Sequence, residues 1–379
     1  TRGYFAFLDT LITTFFDMIK VAIIGTVGVP ANYGGFETLV ENIIKCNNSE
    51  ELQYSVYCSS KNYKEKYWVY KGAKIIYLPL RANGLQSILY DAVSIIHALF
   101  KADTLLVLGV SGCIVLPVIR LFSRKNIIVN IDGLEHRRAK WSNYVRKFLK
   151  YSESLAVKYA THIITDNKGI QDYVLEEYGK HSELIEYGGD HVLCDASGME
   201  EEILKKYQLS KNGYSLALCR IEPENNVEMI VKAFVASGEL LVFIGNWHNS
   251  EFGRRVREEY GIISNIKLLE PIYDIKVLNV LRTYCKFYLH GHSAGGTNPS
   301  LVEAMYFGRP VLAFNVVYNR ETTEGKAGYF GNEQELIALM NEDGEEVWKR
   351  NGEAMREIAY RRYCWNVIAN KYERLYLKN

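Results

Sequence analysis

A chain of 379 residues is too long for one ordinary domain and suits two of typical size. With 48% hydrophobic and 23% charged residues it has the balance of a soluble globular protein, and a formal net charge of +1 excludes whole-protein steering toward nucleic acid. The seven cysteines are scattered, odd in number and free of CxxC spacing, which reads as reduced, buried thiols in a cytosolic protein.

The opening stretch, TRGYFAFLDTLITTFFD, is apolar but interrupted by Asp9 and Asp17, and too short to span a bilayer. It lacks the charged start and small-residue cleavage site of a signal peptide. Phe5, Leu8, Ile12 and Phe15 or Phe16 share one helical face, so the segment reads as an added leader or a membrane-lying helix. From Met18 a β-type run begins. In VAIIGTVGVPANYGGFETLVENI it stops at Gly25, and three more glycines pass by Gly35 before a helical pattern starts. Bare backbone between a strand and a helix suits a phosphate or sugar held by main-chain N–H groups, or a turn that serves only chain geometry. The spacing matches neither the dinucleotide fingerprint nor a P-loop.

Further strands are expected at Tyr54–Ser59, Lys74–Leu78, Thr104–Gly109, Asn126–Asp132 and His162–Asp166, with amphipathic helical segments between most of them. After Asn126–Asp132, the run RRAKWSNYVRKFLK (137–150) carries six Lys or Arg and no acid, with Trp141, Tyr144 and Phe148 interleaved. It fits a surface facing phosphates or anionic lipid, or a solvated helix face. The first half closes on ELIEYGGD. A second series then begins with YSLALCR and continues through LLVFIGN, IKLLEP, CKFYLHGH and PVLAFN. Two successive series of alternating strands and helices mean α/β architecture with two doubly wound, Rossmann-like parallel sheets, joined near Gly188 to Ser197. In such sheets ligands bind beyond the carboxyl ends of the strands, where every unusual motif of this chain lies.

In HGHSAGGTNPSLVEAMYFGRPVLAF, a strand ending near Leu289 is followed by small residues and a helix with Pro299 in its first turn. Exposed N–H groups of Gly296, Thr297 and Asn298 there would face the cleft between the domains with the positive end of the helix behind them, a natural seat for a diphosphate. Glu303 falls one turn into that helix, where its carboxylate could accept from sugar hydroxyls. LCRIEPENN puts Arg220 just after a strand with Glu224 beyond, and an Arg facing an anion site becomes a phosphate clamp. In NIIVNIDGLEHRRAKW, Asp132 and Glu135 follow a strand end. A carboxylate there could orient or deprotonate an acceptor hydroxyl, or Asp132 could simply cap the next turn. His290 and His292 have no third ligand spaced to join them and no D-x-D occurs, so no metal is expected in the mechanism.

GVPANYGGFETLVE, IDGLEHRRAKW, RIEPENN and GGTNPSLVEAM resemble the GT-B retaining glycosyltransferases of family 4, and more narrowly the bacterial rhamnosyltransferase branch of capsule and cell-wall rhamnose polysaccharide synthesis. The resemblance runs from Met18 to the C-terminus. With 1–17 set apart as a leader or added segment, it implies an acceptor-side domain at 18–190, a nucleotide-sugar domain at 191–355, and a C-terminal helix at 356–379 returning to the first domain. It implies transfer of L-rhamnose, with retention, from dTDP-rhamnose to a lipid-pyrophosphate-linked sugar. No metal or other cofactor is needed, and the enzyme works in the cytoplasm, peripheral at the inner face of the membrane. Arg220 would hold the donor diphosphate together with the backbone at Thr297 and Asn298, Glu224, Gly295 and Gly296 would belong to the donor site, and Glu303 would bind the nucleotide's sugar. Gly28 with Asn32, Tyr33, Gly34 and Gly35 would approach the donor phosphates and the acceptor from the first domain. Ile272 and Tyr273 would meet the base. Asp132, with Glu135 beside it, would address the reacting sugar. Arg137, Arg138, Lys140 and Trp141 would face the membrane or the acceptor pyrophosphate.

Two positions depart from the family pattern. Asn225 stands where relatives have a Lys, for which Arg320 or Lys326 are candidate replacements, and Gly295 stands where many have a second glutamate. The second departure favours a front-face displacement in which the leaving phosphate takes the acceptor proton. The rivals are a nucleotide-sugar epimerase of the same architecture and a non-catalytic nucleotide-sugar sensor.

Overall fold

The computed structural model describes residues 18–377 apart from positions 32, 33, 48, 132, 138–140 and 343. Among the described residues there are two sheets. The first contains β1 (Ile19–Ile24), β2 (Leu52–Ser59), β3 (Val69–Tyr70), β4 (Ala73–Leu78), β5 (Thr104–Leu108), β6 (Asn126–Ile131), β7 (His162–Thr165) and β8 (Glu183–Leu184), in the order β3-β4-β2-β1-β5-β6-β7-β8. The second contains β9 (Ser215–Leu218), β10 (Leu241–Ile244), β11 (Ile266–Leu269), β12 (Tyr288–His290), β13 (Val311–Phe314) and β14 (Gly328–Phe330), in the order β11-β10-β9-β12-β13-β14.

The apolar runs form strands because helices cover both faces, so successive side chains are buried alternately on opposite sides. In the second sheet Leu216, Val242, Tyr288 and Val311 enter one core, while Ala217, Phe243, Leu289 and Leu312 enter the other. Three strands lack that signal. β3 is a two-residue antiparallel edge on β4, and β8 and β14 have two and three residues, too short for a run to stand out.

Each sheet reverses direction once. From β1 the chain goes to β2 on one side and reaches β5 on the other; from β9 it goes to β10 on one side and reaches β12 on the other. The crevice beyond the carboxyl ends at such a reversal is where this architecture seats ligands. The glycine-rich loops follow β1 and β12, one at each reversal.

By contacts the chain divides into two compact units. One comprises the residues up to Ile131, Leu149–Ile164 and those from Ala369 onward; the other comprises Asp132–Phe148 and Thr165–Ile368. By contacts, the residues between Thr165 and the expected junction near Gly188 to Ser197 group with the second unit. Residues after Thr165 group with the second unit because they pack there: Asn167 donates to the Tyr318 carbonyl at 3.2 Å, and Gly189 N–H to the Tyr363 carbonyl at 2.7 Å. Within the first unit, Asn130 donates to the Tyr372 hydroxyl at 2.9 Å and Asn126 to the Leu375 carbonyl at 3.3 Å, which fixes the end of the last helix, Trp365–Leu377.

Candidate functional site

In the first unit, the loop after β1 is built on close approach. Gly25 has φ +91° and lies against the Leu108 carbonyl of β5, where a Cβ would overlap the oxygen. Gly28 packs on Cys58, and Gly34 leaves room for the Glu37 carboxylate. The helix Gly35–Lys45 then supplies two acids to the loop. Buried Glu37 accepts from the Thr26 hydroxyl at 3.0 Å and the Val27 N–H at 2.8 Å, and Glu41 accepts from the Ala31 N–H at 2.7 Å. Glu41 also takes the Tyr70 hydroxyl at 2.7 Å and Lys71 at 2.6 Å. The Gly28 N–H donates to Thr26 Oγ1 at 3.3 Å. The glycines thus perform the geometric role first, and these three amides are bonded within the chain. Asn32 and Tyr33 lie outside the described residues, as do Asp132, Arg138 and Lys140.

The 3₁₀ turn Glu135–Arg137 follows position 132 in sequence, and there Glu135 accepts the Trp141 indole N–H at 2.8 Å. The basic run is partly engaged internally. The Arg137 guanidinium sits 4.6 Å from the centre of the Tyr173 ring, Arg146 donates to the Arg137 carbonyl at 3.2 Å, and Lys150 pairs with Glu153 at 3.5 Å.

In the second unit the loops after the adjacent strands β9 and β12 are tied together. Ser293 donates to the Glu224 carbonyl from its N–H at 3.0 Å and its hydroxyl at 2.7 Å, and Asn226 donates to the Gly291 carbonyl at 2.8 Å. Asn225, which stands where a lysine was expected, is buried and donates to the Arg220 carbonyl at 2.7 Å, holding the turn that displays Arg220. Arg220 itself is exposed, and its guanidinium makes no ion pair or hydrogen bond among the described residues. Arg320 donates to Asn315 at 2.7 Å and lies over Tyr329, and Lys326 is 3.8 Å from Glu357, so each of these cations already has a partner.

The loop of small residues differs from expectation at one point. Gly295, Gly296 and Thr297 are buried, and the Thr297 N–H is not exposed: it donates to Asp166 Oδ2 at 3.2 Å, while the Thr297 hydroxyl donates to the Asp166 carbonyl oxygen. Gly296 lies against the same carboxylate. The chain's own acid occupies one of the donors assigned to a diphosphate. Asn298 precedes the helix Pro299–Met305 at its first turn. Ile272 packs on the core and Tyr273 is exposed, just before Asp274 caps the helix Ile275–Tyr284.

Glu303 is not a free helix acid. Its carboxylate pairs with Arg282, a guanidinium only 2% exposed, and lies 3.5 Å from His191 Nε2. The Trp365 indole N–H reaches His191 Nδ1 at 2.9 Å, which leaves Nε2 to carry the proton toward Glu303. Burial works to raise the Glu303 carboxyl, but Arg282 and His191 outweigh it, and the group is held below the usual carboxylate range. Glu303 is therefore an ionised acceptor whose position is fixed from behind. His290 at the end of β12 is buried, stacks on His292 at 4.4 Å, and is held neutral by burial, its pKa lowered to about 3. Among the described residues no three His, Cys, Asp or Glu side chains gather as a metal site. Sequence reasoning missed Asp166, His191 and Arg282. EYGGDH places His191 directly after the quoted ELIEYGGD, whereas Arg282 in IKVLNVLRTY carries no signal that separates it from a solvated helix cation.

Residues 18–190 match the domain of unknown function DUF1972, and residues 199–352 match Glycosyl transferases group 1. No curated protein matches the chain. Among solved structures, the sucrose-phosphate synthase of Thermosynechococcus elongatus aligns with a TM-score of 0.78 at 15% identity, over 94% of this chain and 98% of that one. Anabaena HepE in complex with UDP-glucose aligns at 0.73 and 14% identity, over 94% and 98%. S. aureus MnaA with UDP aligns at 0.63 and 17% identity, over 94% and 95%. These likenesses show the fold, two Rossmann-like domains of GT-B architecture, and with the group 1 match over residues 199–352 the protein is a glycosyltransferase that carries a group 1 domain after a DUF1972 domain.

Proposed function

We propose that the enzyme transfers L-rhamnose from dTDP-rhamnose, with retention and without a metal, to a sugar carried on a lipid pyrophosphate at the cytoplasmic face of a membrane. The observation that carries this reading is the reversal point of the second sheet, where the partnerless Arg220 and the preset Glu303 carboxylate follow strands that are direct neighbours. An uncommitted guanidinium suits a diphosphate, and a fixed carboxylate suits sugar hydroxyls. That HepE holds UDP-glucose on the same fold supports a nucleotide-sugar donor. Rhamnose and the lipid carrier rest on the resemblance of GVPANYGGFETLVE, IDGLEHRRAKW, RIEPENN and GGTNPSLVEAM.

In this reading the bond from the sugar's anomeric carbon to the diphosphate oxygen breaks while a bond from that carbon to the acceptor oxygen forms on the same face. The acceptor proton passes to the departing phosphate oxygen, whose charge Arg220 stabilises. Asp132 addresses the reacting sugar or the acceptor hydroxyl, so Asp132→Asn lowers turnover by about 10²–10⁴-fold. The test is a panel of nucleotide sugars offered with a synthetic lipid-linked acceptor in the presence of EDTA. The expected product is a rhamnoside that keeps the anomeric configuration of the donor, formed from dTDP-rhamnose alone. Turnover of UDP-glucose instead would replace the donor, loss of activity restored by Mg²⁺ would overturn metal independence, and isomerised nucleotide sugar formed without acceptor would make the protein an epimerase.

A further inference from the structure

The first unit carries an apolar surface that its own fold leaves uncovered. The helix Gln86–Ala98 buries Tyr90, Asp91, Ala92, Ser94, Ile95 and Ala98 and turns its other side outward. On that side Leu85, Leu89, Val93, Ile96 and Phe100 form a stripe about 80° wide at about 100° per residue, and Phe100 is 80% exposed. The short helix Leu116–Phe122 adds Val118, Leu121 and Phe122, the last 85% exposed. The two helices share a face of the sheet. The chain crosses from β4 to β5 and from β5 to β6 in the same direction, so right-handed connections put both helices on one side, and both pack on the turn Cys113–Val115. Lys125 donates to the Ala102 carbonyl, which brings the Phe122 end of one segment beside the Phe100 end of the other.

The charges around this surface are mostly positive. Segments 81–101 and 116–125 contain Arg81, Lys101, Arg120, Arg124 and Lys125, and their single acid, Asp91, is buried. Arg120 is bonded to the Tyr159 and Lys125 carbonyls and Lys125 to the Ala102 carbonyl, which leaves Arg81, Lys101 and Arg124 to face outward, with exposed Asp103 beyond them. A cavity of about 660 Å³ is lined by His97 and Lys101, which adjoin Ile96 and Phe100 of the stripe, and by Lys20, Lys66, Lys74 and the 82% exposed Trp68. A contiguous apolar stripe edged by cations and an amphipathic aromatic matches the interface of an anionic bilayer, where apolar side chains enter the acyl boundary and lysines meet headgroups. Exposed apolar residues of the second unit, such as Ile262 and Val347, are scattered along the chain without such a stripe.

We propose that the outward face of the helices Gln86–Ala98 and Leu116–Phe122 is the surface by which the enzyme docks on anionic membrane lipid. The proposal rests on the reading of a lipid-linked acceptor and moves the contact away from the run 137–150, whose cations are partly engaged. The test uses the full chain with vesicles of phosphatidylcholine alone or mixed with phosphatidylglycerol, read by flotation. Phe100→Ser with Phe122→Ser should lower partitioning onto mixed vesicles by about tenfold or more, and Lys101→Gln with Arg124→Gln should do so on mixed vesicles only. Turnover of a water-soluble acceptor analogue should be unchanged in both. Vesicle binding that survives both double variants overturns the proposal, as does binding lost only on removal of residues 1–17. A dimer that the phenylalanine variant dissociates, with vesicle binding unaltered, makes the face a contact between copies instead. If the patch governs vesicle binding while no lipid-linked acceptor is used, the docking surface stands and the acceptor reading falls.

Discussion

The glycine loops after β1 and after β12 occupy equivalent places, each at the reversal of its sheet, yet they are closed differently. Glu37 and Glu41 of the following helix take the Val27 and Ala31 amides of the first loop within ten residues. The second loop is closed by Asp166, 131 residues away from Thr297 in sequence, and the turn beside it holds out Arg220 with no partner. A locally closed loop is a rigid wall. One closed from afar, with a free cation and a preset carboxylate nearby, has charge left over for a ligand. On the proposed reading, the second unit supplies the charge for an anion and the first contributes shape.

The largest effect should come from the carboxylate. Glu303→Gln leaves Arg282 buried without its counter-charge, and breaking a buried pair on one side costs about 3 kcal/mol or more. Adding Arg282→Met should restore most of that loss in urea unfolding. A glutamine variant as stable as the parent would show that Glu303 is an ordinary surface acid and remove half of the contrast.

Glycine substitutions sharpen the contrast at the next level. Gly25→Ala meets both a positive φ and the Leu108 carbonyl, and should cost about 3 kcal/mol. Gly295→Ala has φ +117° but only the Asn298 side chain nearby, at 3.6 Å, so about 1–2 kcal/mol is expected. Equal losses in thermal unfolding would mean that both loops are set by geometry alone.

Arg220 has little structural role to lose. Arg220→Ala should leave stability within about 0.5 kcal/mol and weaken dTDP binding by about 1.5–3 kcal/mol, the scale of a charged hydrogen bond. Calorimetry finding unchanged dTDP affinity would take the diphosphate away from the second unit.

The same contrast explains what could be read from sequence. Strands such as Leu241–Ile244 were legible because burial on both faces demands an unbroken apolar run; β3, β8 and β14 were not, because two or three residues at an edge leave no run to see. Arg220, Glu303 and the loop between Gly295 and Asn298 were legible as motifs after strands. The groups that hold them were not. Arg282 reads as a solvated helix cation until the fold buries it, and the partnership of Asp166 with Thr297 is a long-range contact that no local pattern encodes. Even Glu37, quoted inside GGFETLVE, gave no sign that it would turn back to close its own loop.

A last contrast distinguishes the two units by pH. Near the reversal of the first sheet, burial raises the Asp91 carboxyl to about 7, with the Ser111 hydroxyl bond opposing; at the end of β12, burial lowers His290 to about 3. The signs are opposite. Asp91 stays protonated in the fold where the unfolded chain has lost the proton, so its contribution falls as pH rises from about 4 to 7. His290 stays neutral in the fold where the unfolded chain gains a proton, so its contribution falls as pH drops from about 6.5 toward 3. Between pH 4.5 and 6.5 each slope reaches about 1.4 kcal/mol per pH unit, and in the parent they largely cancel. Urea unfolding of Asp91→Asn at pH 4.5, 5.5 and 6.5 should therefore show stability lost on acidification, and His290→Gln should show it gained. If both variants keep the flat profile of the parent, neither group carries its charge state as its burial dictates, and the two units do not differ in this respect.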